Sequence, residues 1–268
     1  MKIAFTTLGC PDWSFDRILE EAQTMGFDGI EIRGLGGKMR AEEMVAFFPE
    51  NVAETQRKLE KHGLVITSFG ASCSFHDAGK IPAALEEGRA AIDVCSRMGI
   101  PAIRVFGDTI PEDTDEAVII EQVVAGIQAL CEYGKDKNVQ VWIETHGMFN
   151  TVERIKAVTE GVAMKNFGIL WDIEHTDKVY GADFVQFYGP MKPYIRHLHT
   201  KDHRRENGAF ILTLPGEGEI PIIEIIQKLE ADGFKGFYSL EWEKKWQPHL
   251  PEPEIAFPAY MALVEKAR

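Results

Sequence analysis

The chain has 268 residues, 45% hydrophobic and 26% charged, which excludes a disordered or fibrous polypeptide and suits one large α/β domain. Its 29 Lys+Arg against 42 Asp+Glu leave a net charge of −13, which argues against nucleic acid and anionic membrane surfaces as partners. The opening MKIAFTTLGCPDW lacks the apolar core of a signal peptide, and no run approaches the length of a membrane span. Cys10, Cys73, Cys95 and Cys131 are scattered and form no CxxC, so free, buried thiols and a cytoplasmic setting are expected.

In chain order, strands are predicted at Lys2–Thr7, Gly29–Arg33, Val65–Phe69, Ala102–Phe106, Gln140–Thr145, Phe167–Asp172, Ile195–Thr200 and Gly236–Trp242. Each is short, apolar and rich in β-branched or aromatic residues, as strands buried on both faces are. Helical spacing falls at Phe15–Met25, with Asp12 or Ser14 as cap, then at Ala83–Met98, Glu112–Lys137, Val152–Val162 and Ile220–Ala231. A weaker helix is read at Gly181–Tyr194, and a terminal one at Ala259–Lys266 after a Pro-rich loop. Gly26, Gly99 and Gly233 follow helices as left-handed stops. Eight strand–helix units of about 33 residues predict a single (β/α)8 barrel over residues 1–268. An open doubly wound sheet fits less well, because LGCPDWSFD after the first strand is no GxGxxG turn.

Barrel chemistry gathers at the C-terminal ends of the strands. Four successive strands end in Glu144, Asp172, His199 and Glu241. Three carboxylates and an imidazole suit Mn²⁺ or Mg²⁺, and also Co²⁺ or Zn²⁺; one ion, Mn²⁺, is expected. Carboxylates so crowded repel one another, which a cation would relieve. His197 shares a strand face with His199, so one is read as ligand and the other as the holder of a carboxylate. His146 shares a face with Glu144 and is read as an acid/base at the mouth. Trp13, after the first strand, is the aromatic read as a substrate contact, with Phe69, Phe106, Trp142 and Trp171 behind it. Arg33 is a candidate for a substrate hydroxyl or phosphate. Arg104 lies within a strand and needs a partner, for which Asp108 is the candidate.

With these residues in hand, the sequence resembles the xylose-isomerase-like TIM-barrel superfamily of sugar isomerases, epimerases and dehydratases, which also contains apurinic endonucleases. The likeness rests on LGCPDWSFDRILEEAQTMGFDGIEIRG and on WIETH, LWDIEH, HLHTKD, PGEGEIP and YSLEWE, and it covers the whole chain. The resemblance implies a divalent metal on Glu144, Asp172, His199 and Glu241. It implies substrate contacts at His175 and at Arg204 or Arg205, with Lys201 and Glu243 beside them. Trp242, Lys244 and Trp246 are expected near the pocket. In the family's epimerases, the two Glu ligands move a proton alpha to a carbonyl through a metal-stabilised enediolate. The chain departs from that pattern at Asn150, where those enzymes carry Glu, and in having His146.

The resemblance therefore implies a metal-dependent sugar isomerase or epimerase, with a lyase or dehydratase acting on an oxidised sugar by β-elimination as the alternative. A non-catalytic sugar-binding barrel is a weaker third. The three-metal endonuclease branch is disfavoured, because the third and fourth strands lack its His ligands. The expected partner is a small sugar or sugar derivative; self-association is left open.

Overall fold

The apolar runs form ten strands in a computed structural model that describes residues 1–268. They are β1 (Lys2–Thr6), β2 (Gly29–Ile32), β3 (Val65–Ser74), β4 (Ala102–Asp108), β5 (Gln140–Gly147), β6 (Phe167–Asp172), β7 (Ile195–Thr200), β8 (Asp202–Glu206), β9 (Ala209–Thr213) and β10 (Phe237–Leu240). Eight of them close a parallel barrel in the order β1-β10-β7-β6-β5-β4-β3-β2, with β1 paired to both β2 and β10. This is the predicted single TIM-barrel domain, its helices lying between successive strands.

Local signals explain the helix ends. Ser14 Oγ accepts the Arg17 amide at 3.2 Å and starts helix Phe15–Met25. Gly26, at φ +82°, stops it in a conformation that costs any other residue a steric penalty. Helix Glu116–Gly134 begins later than predicted, at the Asp115 cap. With its continuation to Lys137 it is, by length and composition alone, long and apolar enough to cross a membrane. Here it packs its buried Ile119, Val123, Ile127 and Leu130 against β5 and the helices Ile81–Met98 and Val152–Val162. All four cysteines are buried and unpaired.

The departures lie mostly in the loops over the barrel mouth. β3 runs on to Ser74, and helix Val52–His62 was not anticipated. The helix read at Gly181–Tyr194 is present but starts later, at Val185–Met191 with a further turn to Tyr194, and an additional one starts directly after β6 at Ile173–Tyr180. The terminal helix starts at Pro253 rather than Ala259, because proline is tolerated in a first turn. No element is predicted directly after β7, yet β8 and β9 pair antiparallel there around Asn207 (φ +50°) and Gly208 (φ +81°). Asn-Gly is a strong hairpin signal and was there to be read.

Inside the ring, Ala102, Trp142 and Leu170 form a small apolar layer apart from the main core. Each lies two residues before an inward polar residue: Arg104, Glu144 and Asp172 respectively. Strand periodicity thus stacks a polar layer on this apolar one.

Candidate active site

Glu144 on β5, Asp172 at the end of β6, His199 on β7 and Glu241 just past β10 converge inside the barrel mouth. One donor atom from each lies within 4.8 Å of the others, and all four residues are buried. His199 Nδ1 stands 3.2 Å from Glu144 Oε1, 3.4 Å from Glu241 Oε2 and 3.9 Å from Asp172 Oδ2. The other ring nitrogen, Nε2, donates to Glu31 at 3.0 Å. Glu31 comes from β2 and also accepts from His197 Nε2 at 2.9 Å and Ser239 Oγ at 3.1 Å. Burial disfavours its charge, but the two imidazoles outweigh that and hold its carboxyl well below the usual range. Glu31 therefore fixes the His199 ring so that Nδ1 faces the cluster. His197 holds this carboxylate, the second role foreseen for the pair. Glu31 itself was missed, although a carboxylate within the buried run GIEIR was a visible anomaly.

The crowding is relieved in part by the chain's own cations, which the sequence reading did not anticipate. Arg104 Nε lies 2.9 Å from Glu144 Oε2, so its partner is Glu144 and not Asp108. The two face each other because β4 and β5 both point these positions inward. Lys201, fully buried, places Nζ 2.8 Å from Asp172 Oδ2, 2.7 Å from Glu241 Oε2 and 3.0 Å from Glu243 Oε1. Burial opposes ionisation of Glu144 and Glu241, yet Arg104 lowers the first carboxyl and His199 with Lys201 the second. Asp172 goes the other way: burial, reinforced by Glu241 and Glu144, raises it despite Lys201. The repulsion expected of all three carboxylates thus survives in one.

The donors fit a divalent cation. They converge from four strands and combine hard oxygens with one oriented nitrogen. Asp172 Oδ2 and Glu144 Oε2 are buried without a hydrogen bond, although cationic nitrogens lie close to both. The other oxygen of Asp172 accepts the Glu174 amide at 2.8 Å and the His175 amide at 3.3 Å, so a prospective ligand also caps helix Ile173–Tyr180.

Above this layer lie the histidines. The His146 ring centre is 4.4 Å from that of His175 and 4.7 Å from that of Phe106. His146 Nδ1 is 3.3 Å from Asp108 Oδ1, and Asp108 is held at φ +72°. Burial opposes the His146 charge, but Asp108 and Glu144 raise its pKa overall. Burial, then Lys201 and His146, push His175 down to about 3, so its ring is neutral. Asn150 Nδ2 donates to the His175 carbonyl at 3.0 Å.

Other predicted contacts lie elsewhere. Trp13 is 5% exposed, wedged edge-on against Phe257 of the terminal helix with the Arg17 guanidinium over its ring. The loop after β1 turns it into the core instead of toward a sugar. Arg204 pairs with Glu206 on the exposed hairpin at 2.7 Å. Arg205 binds Asp177 and Glu219 and braces the hairpin. Neither arginine joins the cluster, because each is held by carboxylates outside it: Glu206 for Arg204, Asp177 and Glu219 for Arg205. Trp242 is buried and donates to the Pro251 carbonyl; Lys244 binds the Pro248 and Leu250 carbonyls, and Trp246 is exposed. Phe69 and Trp171 are core residues, and Trp142 stacks on His197.

The family model described as xylose isomerase-like TIM barrel matches residues 19–259. The chain belongs to this family. An inosose dehydratase of Geobacillus thermodenitrificans is 25% identical over 285 residues, covering 95% of this chain and 88% of that protein. An uncharacterized protein of Methanocaldococcus jannaschii is 26% identical over 161 residues, which span 57% of this chain and only 54% of that protein. Among solved structures, the probable 3-DHS dehydratase AsbF of Bacillus anthracis superposes with TM-score 0.81 at 21% identity, covering 99% of both chains. The IolI protein, with a binding zinc atom, gives 0.79 at 18% identity over 100% of this chain and 96% of that one. A D-psicose 3-epimerase gives 0.77 at 18% identity over 100% and 97%. The xylose isomerase-like barrel thus accommodates both dehydratases and epimerases, and this chain shares its fold with both.

Proposed function

We propose that this protein is a metal-dependent enzyme that removes a proton alpha to a carbonyl of a sugar-derived substrate and then eliminates a β-hydroxyl, a dehydratase. The observation that carries the reading is the Asp108–His146–His175 row above a carboxylate cluster already paired with Arg104 and Lys201. Glu144, Asp172, His199 and Glu241 would hold the cation. When bound, Mn²⁺ or a similar ion would polarise the substrate carbonyl and acidify the adjacent C–H.

The chain's own residues supply the rest. His146, backed by Asp108, takes the proton, leaving its electron pair to form the new double bond as the hydroxyl departs. Lys201 keeps its three N–H donors on Asp172, Glu241 and Glu243, and the protonated His146 returns its proton to the departing hydroxyl, which leaves as water. Neutral His175 holds a neighbouring hydroxyl. Glu144 and Glu241, tied to Arg104 and Lys201, serve better as ligands than as proton carriers. Asn150 removes the extra carboxylate that the family's epimerases carry at that position. Epimerisation is the second reading: it shares the first step and returns the proton to the same carbon, and the shared barrel of the D-psicose 3-epimerase favours keeping it.

Incubating the Mn²⁺-loaded protein with inosose should release water and generate the absorbance of a conjugated enone. His146→Ala should retain its metal and lose roughly 10²–10⁴-fold in turnover, the usual worth of a positioned acid/base. D-Fructose converted to its epimer with no water loss from inosose would replace the dehydratase reading with the epimerase one.

A further inference from the structure

One buried cation in the barrel mouth is left over from the site just described. Arg33 follows Glu31 by two residues, so it emerges on the same inward face one step nearer the opening. Its amide donates to Thr7 Oγ1 at 2.8 Å, which pins the backbone. The residue is only 8% exposed, yet its guanidinium forms no ion pair, and Nη1 is buried with no hydrogen bond at all. Its charged surroundings are mixed: Arg104 repels it, while Glu241, Glu87 and Glu144 attract it from beyond pairing distance.

Arg104 cannot be the explanation. It is paired with Glu144 and donates to the Ala71 carbonyl, and it lies beside Arg33, not opposite it. Both side chains cross the bare backbone of Gly70, where a Cβ would fall 2.7 Å from Arg33 Cδ and 2.8 Å from Arg104 Nη2. A glycine has made room for two like charges. A buried guanidinium without a counter-charge is costly to fold, the more so next to another cation.

Arg33 also lines a cavity of about 10 Å³, room for one oxygen of a larger anion, whose walls include Thr7, Gly34, Lys245 and Lys38, the last paired with Glu43 at 3.9 Å. Lys245 has no carboxylate partner either; its ammonium lies 5.5 Å from the centre of the Trp246 ring. Two unpaired cations thus meet at one cavity in a chain of net charge −13. A sugar hydroxyl would satisfy hydrogen bonds there but leave the charge unbalanced. A planar fork of N–H donors matches an oxyanion.

We propose that Arg33, with Lys245 across the same cavity, binds an oxyanion carried by the substrate, a carboxylate or a phosphate. This rests on the reading that the barrel mouth is the active site, and it narrows the substrate to an anionic sugar derivative.

The test titrates Mn²⁺-loaded protein with D-glucuronate, D-glucose 6-phosphate, D-glucose and inorganic phosphate by calorimetry. At least one anionic sugar should bind tenfold or more tightly than glucose; whether glucuronate or the phosphate ester leads identifies the group. Arg33→Met should erase that advantage with metal content unchanged, Arg33→Lys should keep part of it, and Lys245→Met should reduce it. Metal-loaded Arg33→Met should melt no lower than wild type in anion-free buffer, since it removes an unpaired charge. Equal binding of charged and neutral probes, no binding of any probe, or an advantage that persists in Arg33→Met overturns the proposal. An Arg33-dependent preference without water loss from inosose or from the 3-keto derivative of the preferred anionic sugar would instead overturn the dehydratase reading and leave this one standing.

Discussion

Glu31 shows how a single residue governs the cluster without belonging to it. Its carboxylate holds the ring nitrogen of His199 that faces away from the other three donors. Glu31→Gln keeps the shape but removes the charge and, in one amide orientation, presents an N–H where His199 needs an acceptor. Mn²⁺ affinity should fall about 10–100-fold, the usual cost of losing such a support, with the circular dichroism spectrum unchanged. Calorimetric titration of metal into the apo variant checks this, and an unaltered dissociation constant would remove Glu31 from the site. The four strand-end donors were legible in the sequence because strand periodicity and barrel polarity are local rules. Glu31 and Asp108 were not, because their partners lie on other strands and only closure of the ring brings them together.

Among the elements, the β8–β9 hairpin is held over helix Ile173–Tyr180 by one imidazole. His203 Nδ1 is 3.1 Å from Glu174 Oε1, and Nε2 is 3.0 Å from Asp177 Oδ2. Burial opposes its charge, but the bonds to Asp177 and Glu174 prevail and raise it to about 9. A folded-state value above the unfolded 6.5 means that the native protein binds the extra proton. The resulting stability is complete below about pH 6.5 and is lost as the pH rises to about 9, on the order of 1–3 kcal/mol. Amide exchange in β8 and β9, corrected for intrinsic rate, should accelerate across that window, and His203→Gln should flatten the dependence. A flat wild-type profile would show that the imidazole does not clamp the hairpin. The sequence displayed the Asn-Gly turn but not this clamp, which joins Glu174 and Asp177 to a histidine well along the chain.

For the whole molecule, a cation that binds only the folded state adds its binding free energy to stability. At a free concentration 100 times its dissociation constant that is about 2.7 kcal/mol. Adding Mn²⁺ to chelator-treated protein should therefore raise the melting temperature by roughly 5 °C or more, given 2–4 °C per kcal/mol at about this size. Glu241→Gln should abolish most of the rise, and a full rise in that variant would place the metal elsewhere. The fold itself was readable because strand–helix alternation repeats around the ring. The mouth was less so: its short helices and hairpin depend on side-chain caps such as Asp172, not on periodic apolar faces.

The bond from Glu31 to His199 has one more consequence. The donors come from β5 to β10, in the second half of the chain, whereas the carboxylate that aims the imidazole comes from β2, 168 residues earlier. A chain whose second half had assembled without β2 would hold every donor and still lack their alignment. Competence is thereby withheld until both halves have met, so that a polypeptide parted between them stays chemically silent instead of loose and reactive.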